Sequence, residues 1–218
     1  MTLARLLEVV VPPACAGCGT FGTLICTRCL RALRPARSPD GAFLAGDPSV
    51  LAGADLELVM AAFRHDGVAR RALQRLKYGG AARLAGPLAA AALASFDELL
   101  AISGPAPLVP VPVNVVRARE RGYNQALLLA RALAAARGLP VHDLLARSRA
   151  TARQHGLDRS ARLANLRAAF TVRQAPTTAR VIVVDDILTT GATLGACAAV
   201  LRAAVTSQVF GFAFAREV

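Results

Sequence analysis

Two groups of residues in this chain have the types and spacing to do chemistry. The first lies in VIVVDDILTTGAT, Val181 to Thr193, where a buried strand running from Val181 ends in two adjacent carboxylates, Asp185 and Asp186. The turn that follows, Thr189-Thr190-Gly191-Ala192-Thr193, offers successive backbone N–H groups and hydroxyls at the start of an Ala-rich helix. Unsatisfied donors and the helix dipole together make such a turn a phosphate cradle. Gly191 lets the backbone come close to the anion. Carboxylates beside a phosphate are repulsive unless they meet something else. Sugar hydroxyls donate to them, and Mg²⁺ takes hard oxygen ligands. A ligand with a phosphate at one end, vicinal hydroxyls in the middle and a metal-binding diphosphate meets every demand, and phosphoribosyl diphosphate is that ligand. No Walker A pattern occurs to suggest a nucleotide triphosphate instead.

The second group is CAGCGTFGTLICTRC, which carries Cys15, Cys18, Cys26 and Cys29 as two C-x2-C pairs. Each pair can grip one edge of a tetrahedral ion, and four thiolates suit zinc while leaving no position open for substrate. The expectation is a structural Zn²⁺ site. Disulfides are the rival, and the absence of a clean signal-peptide core in MTLARLLEVVVPP, interrupted by Arg5 and Glu8, favours a reducing, cytoplasmic setting. Cys197 stands apart and reads as a small core residue.

The elements that must position these residues alternate between strand and helix. Strands are expected at Leu56 to Phe63, within Pro107 to Val113, near Val141 to Leu145, at Ala169 to Val172, at Val181 onward and in the final QVFGFAFA. Between them lie an amphipathic helix closed by Gly79-Gly80, with Val68, Leu73 and Leu76 on one side, and a second helix containing Pro87. A long helix then runs from the basic RARERG to Gly138, a short one spans Arg159 to Arg167, and another extends to Ala204. A further helix is expected from Thr2 to Val11. This order predicts an α/β fold with a mostly parallel sheet flanked by helices. Three parts are expected: residues 1–33 as helix and cysteine module, 34–54 as a Pro- and Gly-rich connector, and 55–218 as the main domain. Prolines at 105, 107, 110 and 112 break the longest uncharged run, so no membrane insertion is expected.

The net charge is +12, which points to an anionic partner. Of 26 basic residues 25 are arginine, however, so part of the excess is a general preference for that residue. Lys77, the sole lysine, suits the negative end of its helix dipole, and its survival in such a chain marks it for a role.

The string from Val181 to Thr193 closely resembles the diphosphoribose-binding signature of type I phosphoribosyltransferases. With the cysteine knuckle, LKYGG at Leu76 to Gly80, VPVP at Val109 to Pro112, RERGYNQALLLA at Arg119 to Ala130 and the stretch from Thr151 to Phe170, the whole resembles the ComF family, competence-associated phosphoribosyltransferase-like proteins. The resemblance implies a type I phosphoribosyltransferase-like domain in which Asp185 and Asp186 meet the ribose hydroxyls and Thr189, Thr190, Gly191, Ala192 and Thr193 the 5′-phosphate. It sets Arg117, Arg119, Arg121, Asn124 and Gln125 where such enzymes hold pyrophosphate. Arginine forks suit a diphosphate, and three of them beside a helix N-terminus oppose the dipole unless an anion is present. It also makes Arg147 to Arg162 a mobile loop, with Arg149, Arg153 and Gln154 as candidates to cover the leaving group. Two functions follow: Mg²⁺-dependent binding of phosphoribosyl diphosphate with transfer of ribose 5-phosphate to an acceptor, or non-catalytic binding of single-stranded DNA or DNA-uptake proteins. Scarce aromatics, 5% with no Trp, weigh against base stacking.

Overall fold

A computed structural model describes residues 12–37, 55–78, 81–147, 168–204 and 207–217. The expected helices at Thr2 to Val11 and Arg159 to Arg167 lie outside the described residues, as do Arg149, Arg153, Gln154 and Gly79-Gly80. In chain order the elements are α1 (Thr27–Arg31), β1 (Leu58–Arg64), α2 (Gly67–Tyr78), α3 (Ala85–Ser103, entered through a 3₁₀ turn), β2 (Leu108–Pro110) and α4 (Val115–Arg121). There follow α5 (Gln125–Arg137), β3 (Leu145–Arg147), β4 (Phe170–Val172), β5 (Arg180–Leu188), α6 (Ala192–Ala203) and β6 (Gln208–Arg216).

Four strands form one parallel sheet in the order β1-β6-β5-β2. Its central strands are buried on both faces and read as apolar runs, as parallel strands do. Alternate residues feed two cores. Ile182, Val184, Phe210 and Phe212 join α2, α3 and α5 on one face, while Val181, Val183, Val209 and Ala213 meet α6 on the other. Phe96 of α3 packs edge-on against Phe212, ring centres 5.1 Å apart. On the opposite face Gly211 admits α6 closely, since a Cβ there would stand 3.2 Å from Leu194 Cδ1 and 3.0 Å from Val59 Cγ2. β3 and β4 pair antiparallel in a separate two-stranded ribbon.

Neighbouring strands β2 and β5 are followed by helices on opposite faces, α5 on one and α6 on the other. Such a divergence opens a crevice beyond the carboxyl ends of the strands. β2 deepens it by stopping at Pro110, opposite Val184, with one further bond from the Val111 N–H to the Val184 carbonyl, while β5 runs on to Leu188.

The sequence reading needs several corrections. Asp185 and Asp186 do not terminate their strand but lie within it, paired along β6 as far as Leu188 opposite Arg216. The long helix expected before Gly138 is two helices. Gly122, at φ 77°, ends α4 in the left-handed region, and the Asn124 side chain caps α5 by accepting from the N–H groups of Ala126 and Leu127. The strand expected near Val141 to Leu145 begins only at Leu145. The apolar α3 and its entry turn, Ala82–Ser103, are long and hydrophobic enough to cross a membrane by length and composition. Leu88, Phe96 and Leu99 on this helix are fully buried in the core.

Candidate functional site

A cavity of 360 Å³ opens at the crevice, and its lining brings together most of the residues singled out by type. Asp185, Asp186, Thr189 and Thr193 come from β5 and α6, and Arg117, Arg121, Asn124 and Gln125 from α4 and α5. Val111, Pro112 and Val113 form the wall between, and Lys77 enters from the end of α2. Thr190, Gly191, Ala192 and Arg119 are not in the lining. Gly191 supports the turn, however: its φ of 93° is the left-handed value that starts α6, and Ala192 N–H donates to Thr190 Oγ1 at 3.3 Å.

Asp185 and Asp186 share a small volume and settle their charge in different ways. Burial, then the neighbouring Asp186 charge, pushes the Asp185 carboxyl well above its ordinary range, although the Asp186 N–H donates to its Oδ1 at 2.8 Å. Asp186 instead has a counter-ion, with Lys77 Nζ 2.8 Å from its Oδ2. That separation is the length of a charge-assisted contact, at an oxygen buried from solvent. The sole lysine, which suits its helix dipole and was marked for a role by its survival in this chain, is carried by the fold into the acid pair.

The basic wall is braced. Arg121 donates to Gln125 Oε1 at 3.0 Å and to Tyr78 Oη at 3.2 Å, with its guanidinium 4.8 Å from the tyrosine ring centre. Gln125 is only 4% exposed, and its Nε2 is buried without a partner. A buried amide donor on a basic wall suits an acceptor from a ligand. Asn124, read from sequence as a substrate-orienting residue, also ties Val111 to α5 by donating to the Val111 carbonyl at 2.9 Å.

The sequence reading missed His65, Tyr78 and Glu217, which line the same cavity. Burial holds the His65 imidazole below its ordinary value, partly offset by the Glu217 charge. Tyr78 lies in the LKYGG string that carries the family resemblance, but nothing in the local pattern around His65 and Glu217 announces them, because only β1, α2 and the end of β6 converging at the crevice brings the three together.

At the other site the four cysteine sulfurs lie within 4.8 Å of one another. A tetrahedral zinc with bonds of about 2.3 Å sets its sulfurs about 3.8 Å apart, and Cys18 and Cys26 stand at 3.7 Å. The donor set fits a zinc ion. Gly17 is required here, since a Cβ would lie 2.6 Å from Cys29 Sγ. Burial raises Cys15, but backbone N–H groups of Cys26, Cys18 and Gly17 outweigh it and leave the thiol below its ordinary value. The Thr20 hydroxyl and N–H hold Cys18 down to about 5, while burial and neighbouring thiols push Cys29 up to about 12. Without a cation the cluster cannot ionise together; a divalent metal removes that conflict. The module is not detached, for Cys15, Ile25, Cys29 and Leu33 belong to the same apolar cluster as α2 and α3.

No family model matches the chain. Among curated proteins it is 30% identical over 200 residues to a DNA utilization protein YhgH of Salmonella typhi, a match covering 85% of this chain and 88% of that protein. It is 34% identical over 116 residues to Competence protein F of Haemophilus influenzae, and there the match spans about half, 51%, of each chain. A DNA utilization protein YhgH of Salmonella typhimurium is 37% identical over 106 residues, 47% of each chain.

Proposed function

The chain belongs to the ComF family, and from that premise we propose that it is a type I phosphoribosyltransferase-like protein that binds phosphoribosyl diphosphate with Mg²⁺ and serves DNA uptake. The observation that carries the reading is the single cavity in which an acid pair, a phosphate-cradling turn and an arginine wall meet at the switch point of a parallel sheet. The turn from Thr189 to Thr193 holds the 5′-phosphate on backbone N–H groups and the α6 dipole. Asp185 and Asp186 accept from the ribose hydroxyls. Arg117 and Arg121 take the diphosphate, with Gln125 Nε2 as a further donor. Asp186 Oδ2, buried with spare acceptor capacity, is the hard oxygen suited to Mg²⁺, which when bound neutralises diphosphate charge. The role in DNA uptake is carried from relatives named for competence and DNA utilization.

Calorimetric titration with phosphoribosyl diphosphate, with and without Mg²⁺, tests the reading. Saturable binding that needs Mg²⁺ and disappears in Asp186→Asn is the expected result. Zinc-loaded, folded protein that takes up no ligand would overturn it.

A second reading has favourable observations of its own: single-stranded DNA on the basic surface. The net charge of +12 supplies phosphate contacts, and among the described residues two aromatics are strongly exposed, Tyr78 at 75%, beside Arg121, and Phe21 at 69%, as surfaces on which bases could stack. It is distinguished by affinity for an oligothymidine that falls steeply with salt and does not change in Asp186→Asn.

A further inference from the structure

Helix α2 touches both sites. At its middle it is clamped to the cysteine module, with Arg71 Nε donating to the Gly17 carbonyl at 2.6 Å and an Arg75 guanidinium N–H to the Ala14 carbonyl at 3.1 Å. From the other side Tyr123 Oη donates to the Leu76 carbonyl at 2.7 Å, fixing the last turn. Lys77 follows directly and is thereby delivered to the cavity.

A lysine that only complemented the helix dipole would keep its ammonium in water. The Lys77 side chain is instead 20% exposed and lies against Asp186, itself 13% exposed. Desolvating an ammonium is costly, and Asp186 compensates with its charge at 2.8 Å. An ammonium carries three N–H donors, so this one contact does not commit them all. A compact ammonium on a flexible stem can turn from a carboxylate to a nearby phosphate oxygen, whereas a guanidinium locks onto a carboxylate through its planar fork. The chain uses arginine at 25 of its 26 basic positions and keeps lysine here.

We infer that Lys77 is a ligand-binding residue that exchanges partners: it neutralises Asp186 before ligand enters, then turns to the diphosphate of bound phosphoribosyl diphosphate and frees Asp186 for the ribose hydroxyls. The exchange lets two acids and a polyanion occupy one cavity without a stage of uncompensated repulsion. It rests on the reading of the cavity proposed above.

The test compares two ligands on the full-length, zinc-loaded protein in Mg²⁺: phosphoribosyl diphosphate and ribose 5-phosphate, which lacks the diphosphate. Lys77→Met keeps the stem and removes the charge. It should weaken phosphoribosyl diphosphate about tenfold to a hundredfold, the range for a hydrogen bond to a charged group, and ribose 5-phosphate by no more than about threefold. Equal weakening of both ligands would reduce Lys77 to a prop for Asp186 and overturn the exchange, as would unchanged binding of both. Should Lys77→Met not fold, Lys77→Gln retains a donor for Asp186 and is read the same way. A wild type that bound neither ligand would overturn the cavity reading and this inference together, whereas wild-type binding with an indifferent variant overturns the inference alone.

Discussion

The cysteine module and the cavity are both clusters of ionisable groups, yet they are assembled and balanced in opposite ways. Four thiols of one kind come from fifteen consecutive residues, Cys15 to Cys29, and their conflict, one held down to about 5 and another pushed up to about 12, calls for a cation from outside. The cavity draws on six separate stretches between His65 and Glu217 and already mixes acids with bases, so Lys77 offsets Asp186 from within. A site of like thiols needs a cation if its members are to ionise together. A site of opposed groups can stand ready for ligand without one, and helix α2 links the two.

The sharpest way to break the contrast is to remove one sulfur. Cys29 is buried in the apolar cluster shared with α2, so Cys29→Ser should abolish zinc binding and lower Tm by something on the order of 10 °C. Elemental analysis beside calorimetry checks both; a variant with full zinc content and an unchanged Tm would mean that the four sulfurs are not the site.

The link itself is tested by Arg71→Ala. Losing the bond to the Gly17 carbonyl should cost about 1–2 kcal/mol in denaturant unfolding while zinc content stays at the wild-type level. If stability did not move, the module would be held by its apolar contacts alone and α2 would not be clamped through this residue.

The smallest effect concerns Asp185. Its folded carboxyl lies well above the ordinary 3.8, so the folded state binds the proton more tightly than the unfolded chain. The associated stability is fully present below 3.8 and is lost as pH rises through the elevated folded value. Asp185→Asn keeps the shape without the ionisation, and its Tm should match the wild type in acid and exceed it increasingly toward neutral pH. A gain of constant size across the range would argue that the wild-type carboxyl titrates normally.

How much of this could be read without coordinates follows from where each determinant resides. The cysteine set and the turn from Thr189 to Thr193 are short-range patterns, so spacing alone displays them. The parallel sheet was legible because Val181 to Val184 and Val209 to Phe214 are apolar on both faces. The break at Gly122 was not. A left-handed glycine followed by an asparagine cap looks, in sequence, like an interruption that a long Ala- and Leu-rich helix could absorb. Nor could the extent of β5 be read, because two acids look like a strand end unless a neighbouring strand continues to pair with them, as β6 does.

The amino-acid sequence by itself determined most of the strands and helices, the four-cysteine set and the Thr- and Gly-rich turn before α6, since each depends on residues within about one or two turns of chain. The tertiary structure alone decided which acid carries a counter-ion, that Lys77 supplies it from more than a hundred residues away, and that His65, Tyr78 and Glu217 share the cavity. Charge interactions act through space and depend on burial, and the close approach of distant segments is set by packing the sheet's two faces.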